Sequence, residues 1–79
     1  MALQLMLAAS LRKYVAGYNG ETGHLMRVEP GATIRDLARL LAIPEEEVKL
    51  IMVDGLAAQW ETTLSGDERV ALFPPIGGG

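Results

Sequence analysis

The sequence predicts an α+β fold in which a mixed sheet of four to five strands carries one main helix on one face. Residues alternate between two faces at both ends of the chain, over 3–7 and 69–73, as in strands. One segment, 33–43, repeats its apolar residues with helical spacing. An Asp54-Gly55 pair marks a hairpin before the last strand. With 79 residues and no cysteine, we expect one small domain without disulfides or thiolate metal sites.

The first third of the chain predicts two strands joined by a glycine-rich loop. The leucines of residues 3–7 alternate with other residue types, so we expect them to face inward. Residues 10–15 are compatible with one short helical turn. Glycine and asparagine cluster over residues 17–23, which is loop chemistry. Residues 24–29 predict the second strand, and Pro30-Gly31 is a turn signal that ends it.

The middle of the chain predicts the main helix. Thr33 is a favourable N-cap, and Asp36 lies in the first turn, where negative charge is stabilising. The predicted apolar face consists of Ile34, Leu37, Ala38 and Leu41. Pro44 is expected to stop the helix at or just before Ile43. Pro44 and the acidic residues 45–47 then predict a further short helical turn.

The remaining segments predict three more strands. They cover 48–53, about 56–60, and 69–73, with Asp54-Gly55 as the turn of the first hairpin. In the last strand, alternation separates Val70 and Leu72 from Ala71 and Phe73. This order of elements is the β-grasp plan, in which strand 1 pairs antiparallel with strand 2 and parallel with the last strand.

Composition excludes several classes of function. The net charge is −3 and the basic residues are scattered, so nucleic acid is not an expected partner. The apolar stretch 1–9 is too short to span a membrane, and we expect a cytoplasmic protein. His24 is the only histidine, so no metal site is expected. The acids of 45–47 read as a solvated helix start, and Trp60 as a half-buried core residue.

The end of the chain is the candidate functional segment. We divide the chain into a domain over 1–73 and a flexible tail over 74–79. Pro74 and Pro75 stiffen the base of this tail, whose extended reach is roughly 20 Å. Ile76, Gly77, Gly78 and Gly79 follow, so no side chain flanks the terminal carboxylate of Gly79. This shape suits activation of the carboxylate, whereas the glycines alone would favour a frayed end.

The chain resembles the MoaD/ThiS family of ubiquitin-like sulfur carriers. The residues that carry the resemblance are the ending Val70-Ala71-Leu72-Phe73-Pro74-Pro75-Ile76-Gly77-Gly78-Gly79, the turn Val53-Asp54-Gly55, the segment Leu64 to Glu68, and the junction Pro30 to Leu37. Two features depart from the family pattern. Asp54 replaces an asparagine, and Gly66 comes one position early in the turn that precedes the last strand.

The resemblance implies a specific activity. An E1-like adenylyltransferase would adenylate Gly79 with ATP and magnesium, and a sulfur donor enzyme would convert it to a thiocarboxylate. A synthase large subunit would then take the sulfur for molybdopterin. The chain would be no enzyme by itself and would hold no permanent cofactor. Alternatives are a thiamine-type carrier, a ubiquitin-like modifier joined through Gly79 to lysine, or a β-grasp interaction module with an inert tail.

The last strand also offers a candidate docking surface. If Val70 and Leu72 face the helix, Phe73 lies with Ala71 on the open side of the sheet, next to the tail. The resemblance implies that this face meets partners, and Leu7 or Met6 is a further candidate. The alternative is that Phe73 caps the edge of the core.

Overall fold

The protein is described by a computed structural model that covers residues 2–75. The strands are β1 (Leu3–Leu7), β2 (His24–Met26), β3 (Leu50–Val53), β4 (Leu56–Ala57) and β5 (Arg69–Phe73), and the helix is α1 (Ile34–Leu40). Short 3₁₀ helices cover Ala9–Tyr14 and Glu45–Glu47. The strand order is β2-β1-β5-β3-β4, with β1 and β5 parallel and the other pairs antiparallel. The predicted mixed sheet with one main helix is confirmed.

The core lies between α1 and the centre of the sheet. Strands β1 and β5 are adjacent, and their inward side chains, Leu3, Leu5, Leu7, Val70 and Leu72, are all at most 2% exposed. The buried face of α1 covers them, as predicted from its spacing. Each such side chain contributes roughly 1.5–3 kcal/mol through removal from water, so this layer is the main source of stability.

The start of α1 is fixed by a capping box. The Asp36 amide donates to Thr33 Oγ1 at 3.1 Å, and the Thr33 amide donates to Asp36 Oδ2 at 3.0 Å. This confirms Thr33 as the N-cap. The bond from the Thr33 amide is the main reason that the pKa of the Asp36 carboxyl lies below its usual value.

The end of α1 has a different cause from the one predicted. The helix ends at Leu40, before Pro44 could act on it. Ala42 adopts a left-handed conformation with φ of 57°. Its amide donates to Arg39 O at 3.1 Å, and the Ile43 amide donates to Ala38 O at 2.9 Å. These two bonds form a Schellman motif, in which the left-handed position is usually a glycine.

Three strands are shorter than predicted because their partners or neighbours end them. β2 stops at Met26 because its partner there, Leu3, is the first residue of β1. β3 begins only at Leu50, after the second 3₁₀ helix has closed with a bond from the Val48 amide. After β4, the chain turns toward the start of α1, where Trp60 O accepts from the Arg35 amide at 3.1 Å. The Asp54-Gly55 hairpin turn is confirmed, with φ of 50° and 84°.

The loop before β5 is closed by one carboxylate. Glu68 accepts hydrogen bonds from the amides of Ser65 at 2.7 Å and Gly66 at 2.9 Å, and from Ser65 Oγ at 3.0 Å. Burial on its own would raise the pKa of Glu68, but these bonds to the ionised form outweigh it and lower the pKa to about 2. The early glycine, Gly66, has a φ of 113° and fits this turn.

Within residues 2–75, no helix combines the length and apolar character that crossing a membrane requires.

Replacing Ala42 with glycine is expected to stabilise the protein. A left-handed alanine costs about 1 kcal/mol that a glycine avoids, so the free energy of unfolding in urea should rise by up to that amount. Ala16→Gly is the matched control, because Ala16 is exposed and has no positive φ. If the two variants lower stability alike, the left-handed position contributes no strain.

Glu68→Gln is expected to remove part of the acid sensitivity of folding. The folded pKa of about 2 lies below the usual value of 4.5, so the ionised side chain stabilises the fold above pH 4.5. That contribution is lost as the pH falls toward 2, where wild type and variant should converge. Urea unfolding across this range measures the difference. Glu21→Gln is the control, since no hydrogen bond to the Glu21 carboxylate occurs within residues 2–75. If the free energy of unfolding of Glu68→Gln differed from that of wild type by the same amount at every pH, this role of Glu68 would be contradicted.

Candidate functional site

The predicted tail begins where the sheet ends. β5 stops at Phe73, as predicted, and the last sheet bond at this end runs from the Lys49 amide to Phe73 O at 2.7 Å. Pro74 and Pro75 follow outside any strand and have no amide hydrogen to extend the ladder. The predicted access residues Ile76, Gly77 and Gly78, and the reacting residue Gly79, lie outside the described residues. Their roles therefore stay predictions.

The face of the sheet opposite α1 carries an apolar surface, here called the open face. It consists of the outward-pointing residues of the three central strands and of β4, namely Gln4, Met6, Leu50, Met52, Ala57, Arg69, Ala71 and Phe73. The register sets Met6 and Met52 on either side of Ala71. Leu50 lies opposite Phe73, and they are 45% and 37% exposed. Alternation thus places Phe73 on the open face with Ala71 and away from the core.

One predicted docking residue is misplaced. Leu7 is 2% exposed and belongs to the core, because it has the same parity in β1 as Leu3 and Leu5. Its side chain is therefore not available to a partner. The position next to it, Met6, is half-buried and points to the open face, so Met6 replaces Leu7 in the candidate surface.

Two adjoining depressions shape the open face. The first has a volume of about 410 Å³, and its floor includes Met6, Met52 and Ala71. The second has a volume of about 490 Å³ and is bounded by Leu50 and by the prolines at the base of the tail. Ala8 and Phe73 line both. The aromatic ring therefore lies between the centre of the open face and the start of the tail.

The rim of the first depression is built by the loop that precedes β2. Because β2 is short, Leu7 has no strand partner on that side, and side chains complete its hydrogen bonds. The Leu7 amide donates to the Tyr18 hydroxyl at 2.7 Å, and Arg12 Nε donates to Leu7 O at 3.1 Å. The Arg12 guanidinium also lies over the Tyr18 ring, 5.5 Å from its centroid. No pattern in the sequence indicates this arrangement, since Tyr18 stands among loop residues without a repeating pattern.

The other residues considered from sequence lie apart from this surface. His24 is the first residue of β2 and pairs with Leu5. Among residues 2–75, no group of three or more histidine, cysteine, aspartate or glutamate side chains could hold a metal ion. Tyr14 donates to Glu47 at 2.7 Å, and Glu45 pairs with Arg35 at 2.9 Å. The bond to Glu47 is the main cause that raises the pKa of Tyr14. Trp60 is half-buried against the core, as predicted.

The sequence matches a known family over most of its length. The model of the ThiS family matches residues 9–79, nearly the whole chain. The chain belongs to the ThiS family. This confirms the resemblance to the MoaD/ThiS carriers, and the matched region contains the candidate tail. No curated protein sequence matches this ThiS-family chain significantly.

Solved structures share the fold of this ThiS-family chain. SAMP1 from Haloferax volcanii is 22% identical, with a TM-score of 0.70 over 100% of both chains. The HVO 2177 protein from the same organism is 24% identical, with a TM-score of 0.73 over 100% of this chain and 87% of its own. A protein described as subunit 1 of a molybdopterin converting factor, from Pyrococcus furiosus, is 21% identical, with a TM-score of 0.67 over 95% and 98%. The fold is therefore the ubiquitin-like β-grasp.

Tyr18→Phe is expected to destabilise this ThiS-family protein without removing the ring beneath Arg12. The variant leaves the Leu7 amide without its acceptor, and an unpaired amide costs about 1–3 kcal/mol. Urea unfolding measures the change. Tyr14→Phe is the control, because its hydroxyl bonds a side chain and no backbone group. If both variants lose the same free energy of unfolding, the hydrogen bond to the Leu7 amide contributes no more to stability than the bond of Tyr14.

Proposed function

We propose that this chain is a sulfur carrier of molybdopterin biosynthesis, that is, of the molybdenum or tungsten cofactor. Its C-terminal glycine, Gly79, is adenylated by an E1-like enzyme and converted to a thiocarboxylate. The observation that carries the proposal is the family match, which runs through the tail to Gly79. The geometry of the described part supports it, because β5 delivers the chain to Pro74-Pro75 beside an exposed apolar surface.

The chemistry needs little from the carrier except access. In the activating enzyme, a carboxylate oxygen of Gly79 attacks the α-phosphorus of magnesium-bound ATP, and pyrophosphate leaves. Hydrosulfide that a donor enzyme releases then attacks the acyl carbon and displaces AMP, so a carbon–sulfur bond replaces a carbon–oxygen bond and a thiocarboxylate remains. Glycines at the tip suit a narrow active site because they add no side chains there. ATP and magnesium belong to the partner, and the carrier holds no permanent cofactor.

The synthase large subunit is the second partner in this proposal. It receives the tail and takes the sulfur from the thiocarboxylate. Either partner, if it docked on the open face, would lie next to the base of the tail. Phe73 lines both the depression at the centre of the open face and the one bounded by Pro74 and Pro75. Phe73 and Ala71 are the proposed docking residues, with Met6 in place of Leu7. Buried aromatic side chains commonly supply a large share of binding energy at such interfaces.

Intact-mass analysis tests the proposal directly. The protein is incubated with its cognate activating enzyme, ATP, magnesium and a sulfur donor. We expect a mass gain that equals the exchange of one oxygen for one sulfur. A variant that lacks Gly77, Gly78 and Gly79 is the matched control and should gain nothing. If wild type gives neither an adenylate nor this gain with the cognate enzyme, the carrier function is wrong.

A ubiquitin-like modifier is the second candidate. The observation that favours it is the similarity in fold, over the whole chain, to structures described as SAMP1, a small archaeal modifier protein. In this case a lysine of another protein would attack the activated Gly79. Arg69 is the last basic residue, so trypsin would leave the peptide 70–79 attached to the modified lysine. Detection of that branched peptide in cell extracts would support the modifier function.

The sulfur acceptor needs a separate test. A thiamine-type carrier would pass through the same adenylate and thiocarboxylate, so the intact mass does not distinguish the two pathways. Purified thiocarboxylate is therefore offered to a molybdopterin synthase large subunit with its precursor, and to a thiazole synthase with its substrates. We expect sulfur transfer only in the first reaction. Transfer only in the second would assign the chain to the thiamine pathway.

A further inference from the structure

The charges around the open face differ in sign from the charge of the whole chain. The chain has a net charge of −3, yet Arg12 and Arg69 line the first depression and Lys49 lines the second. Among residues 2–75, no aspartate or glutamate lines either depression. The excess of acid therefore lies elsewhere, and the apolar surface has a positive border.

These three cations have no ion-pair partner in the described part of the chain, whereas two cations elsewhere do. Arg35 pairs with Glu45 at 2.9 Å and with Glu61 at 3.0 Å, and Lys13 pairs with Glu47 at 3.7 Å. No carboxylate of residues 2–75 lies within 4.0 Å of the cations at the open face. Arg27 and Arg39 have no such partner either, so the open face holds three of the five cations that form no ion pair among residues 2–75.

Arg12 is held in place before any partner binds. Its Nε donates to Leu7 O at 3.1 Å, and its guanidinium lies over the Tyr18 ring. A fixed guanidinium loses less side-chain entropy when it binds a carboxylate, and its two terminal nitrogens match the two carboxylate oxygens. Arg12 is therefore suited to bind one particular carboxylate of a partner, in addition to attracting negative charge in general.

We propose that the open face binds a surface of the activating enzyme whose apolar centre is bordered by carboxylates, and that Arg12, Arg69 and Lys49 select it. This inference rests on the proposed function. The depression floor around Ala71 and Phe73 supplies most of the affinity, because its contacts lose water on binding. The cations supply selectivity and association rate, because a positive border attracts a negative one and repels other positive surfaces.

Charge-reversal variants test the inference in a reaction that needs the carrier. We measure the carrier concentration that gives half-maximal ATP–pyrophosphate exchange by the cognate enzyme, at low and high salt. Arg12→Glu, Arg69→Glu and Lys49→Glu should each raise it about tenfold or more at low salt, and less at high salt. Arg39→Glu is the matched control. It makes the same change in charge at an exposed position of α1 that lines neither depression, and it should shift the value less than about twofold.

Folding is checked separately, because Arg12→Glu also removes the bond to Leu7 O. Lys49→Glu removes no side-chain hydrogen bond within residues 2–75 and so tests the border without that loss. If replacing an acidic residue of the enzyme with arginine restored exchange with the Arg12→Glu carrier, direct contact between the two positions would be supported.

Three results would overturn the inference. If wild type supports exchange and all three variants behave like Arg39→Glu, the role assigned to the positive border is wrong, while the carrier function stands. If wild type supports no exchange with the cognate enzyme, both the inference and the proposed function fail. If light scattering shows a dimer that the three variants dissociate, the open face binds a second copy of this chain in place of the enzyme.

Discussion

The parallel pairing of β1 with β5 is the interaction on which the rest of the structure depends. It brings the two ends of the chain together in the centre of the sheet, with Leu5 opposite Val70 and Leu7 opposite Leu72. These residues form the layer that α1 covers. Pairing between segments so distant in sequence closes a long loop, and burial of the facing side chains must compensate for that entropy. Of the remaining pairings only the β3–β4 hairpin is local, whereas β2 and β3 join β1 and β5 across longer connections.

This pairing also determines where the candidate site lies. In parallel neighbours, inward residues of one strand lie next to inward residues of the other, so the outward residues also share a face. Met6 is therefore placed beside Ala71, and β3 adds Met52 on the far side. Methionine side chains adapt their shape to irregular surfaces, which suits the docking role proposed for this face. The strand that completes the core is the same strand that leads into the tail.

The loop between β1 and β2 has a structural role and a role in the site. Its Tyr18 and Arg12 satisfy the backbone groups of Leu7 that a longer β2 would have bonded. The same two side chains form the rim of the depression beside Phe73. A short edge strand thus leaves a gap, and the side chains that fill the gap become the border of a surface. Glu68 has a comparable role before β5, where its carboxylate satisfies the amides of a tight turn.

The sequence by itself determined the features that depend on local chemistry. The inward leucines of β1, the Thr33 cap, the Asp54-Gly55 turn and the bounds of β5 follow from residue type and spacing, and the structure agrees. Tertiary structure decided where β2 and β4 end, since strand length depends on the register of the partner. It also decided that Ala42, and not Pro44, ends α1. The contact between Arg12 and Tyr18 was also decided by the tertiary structure. Contacts between segments without periodicity depend on how the sheet closes, and no local pattern encodes that closure.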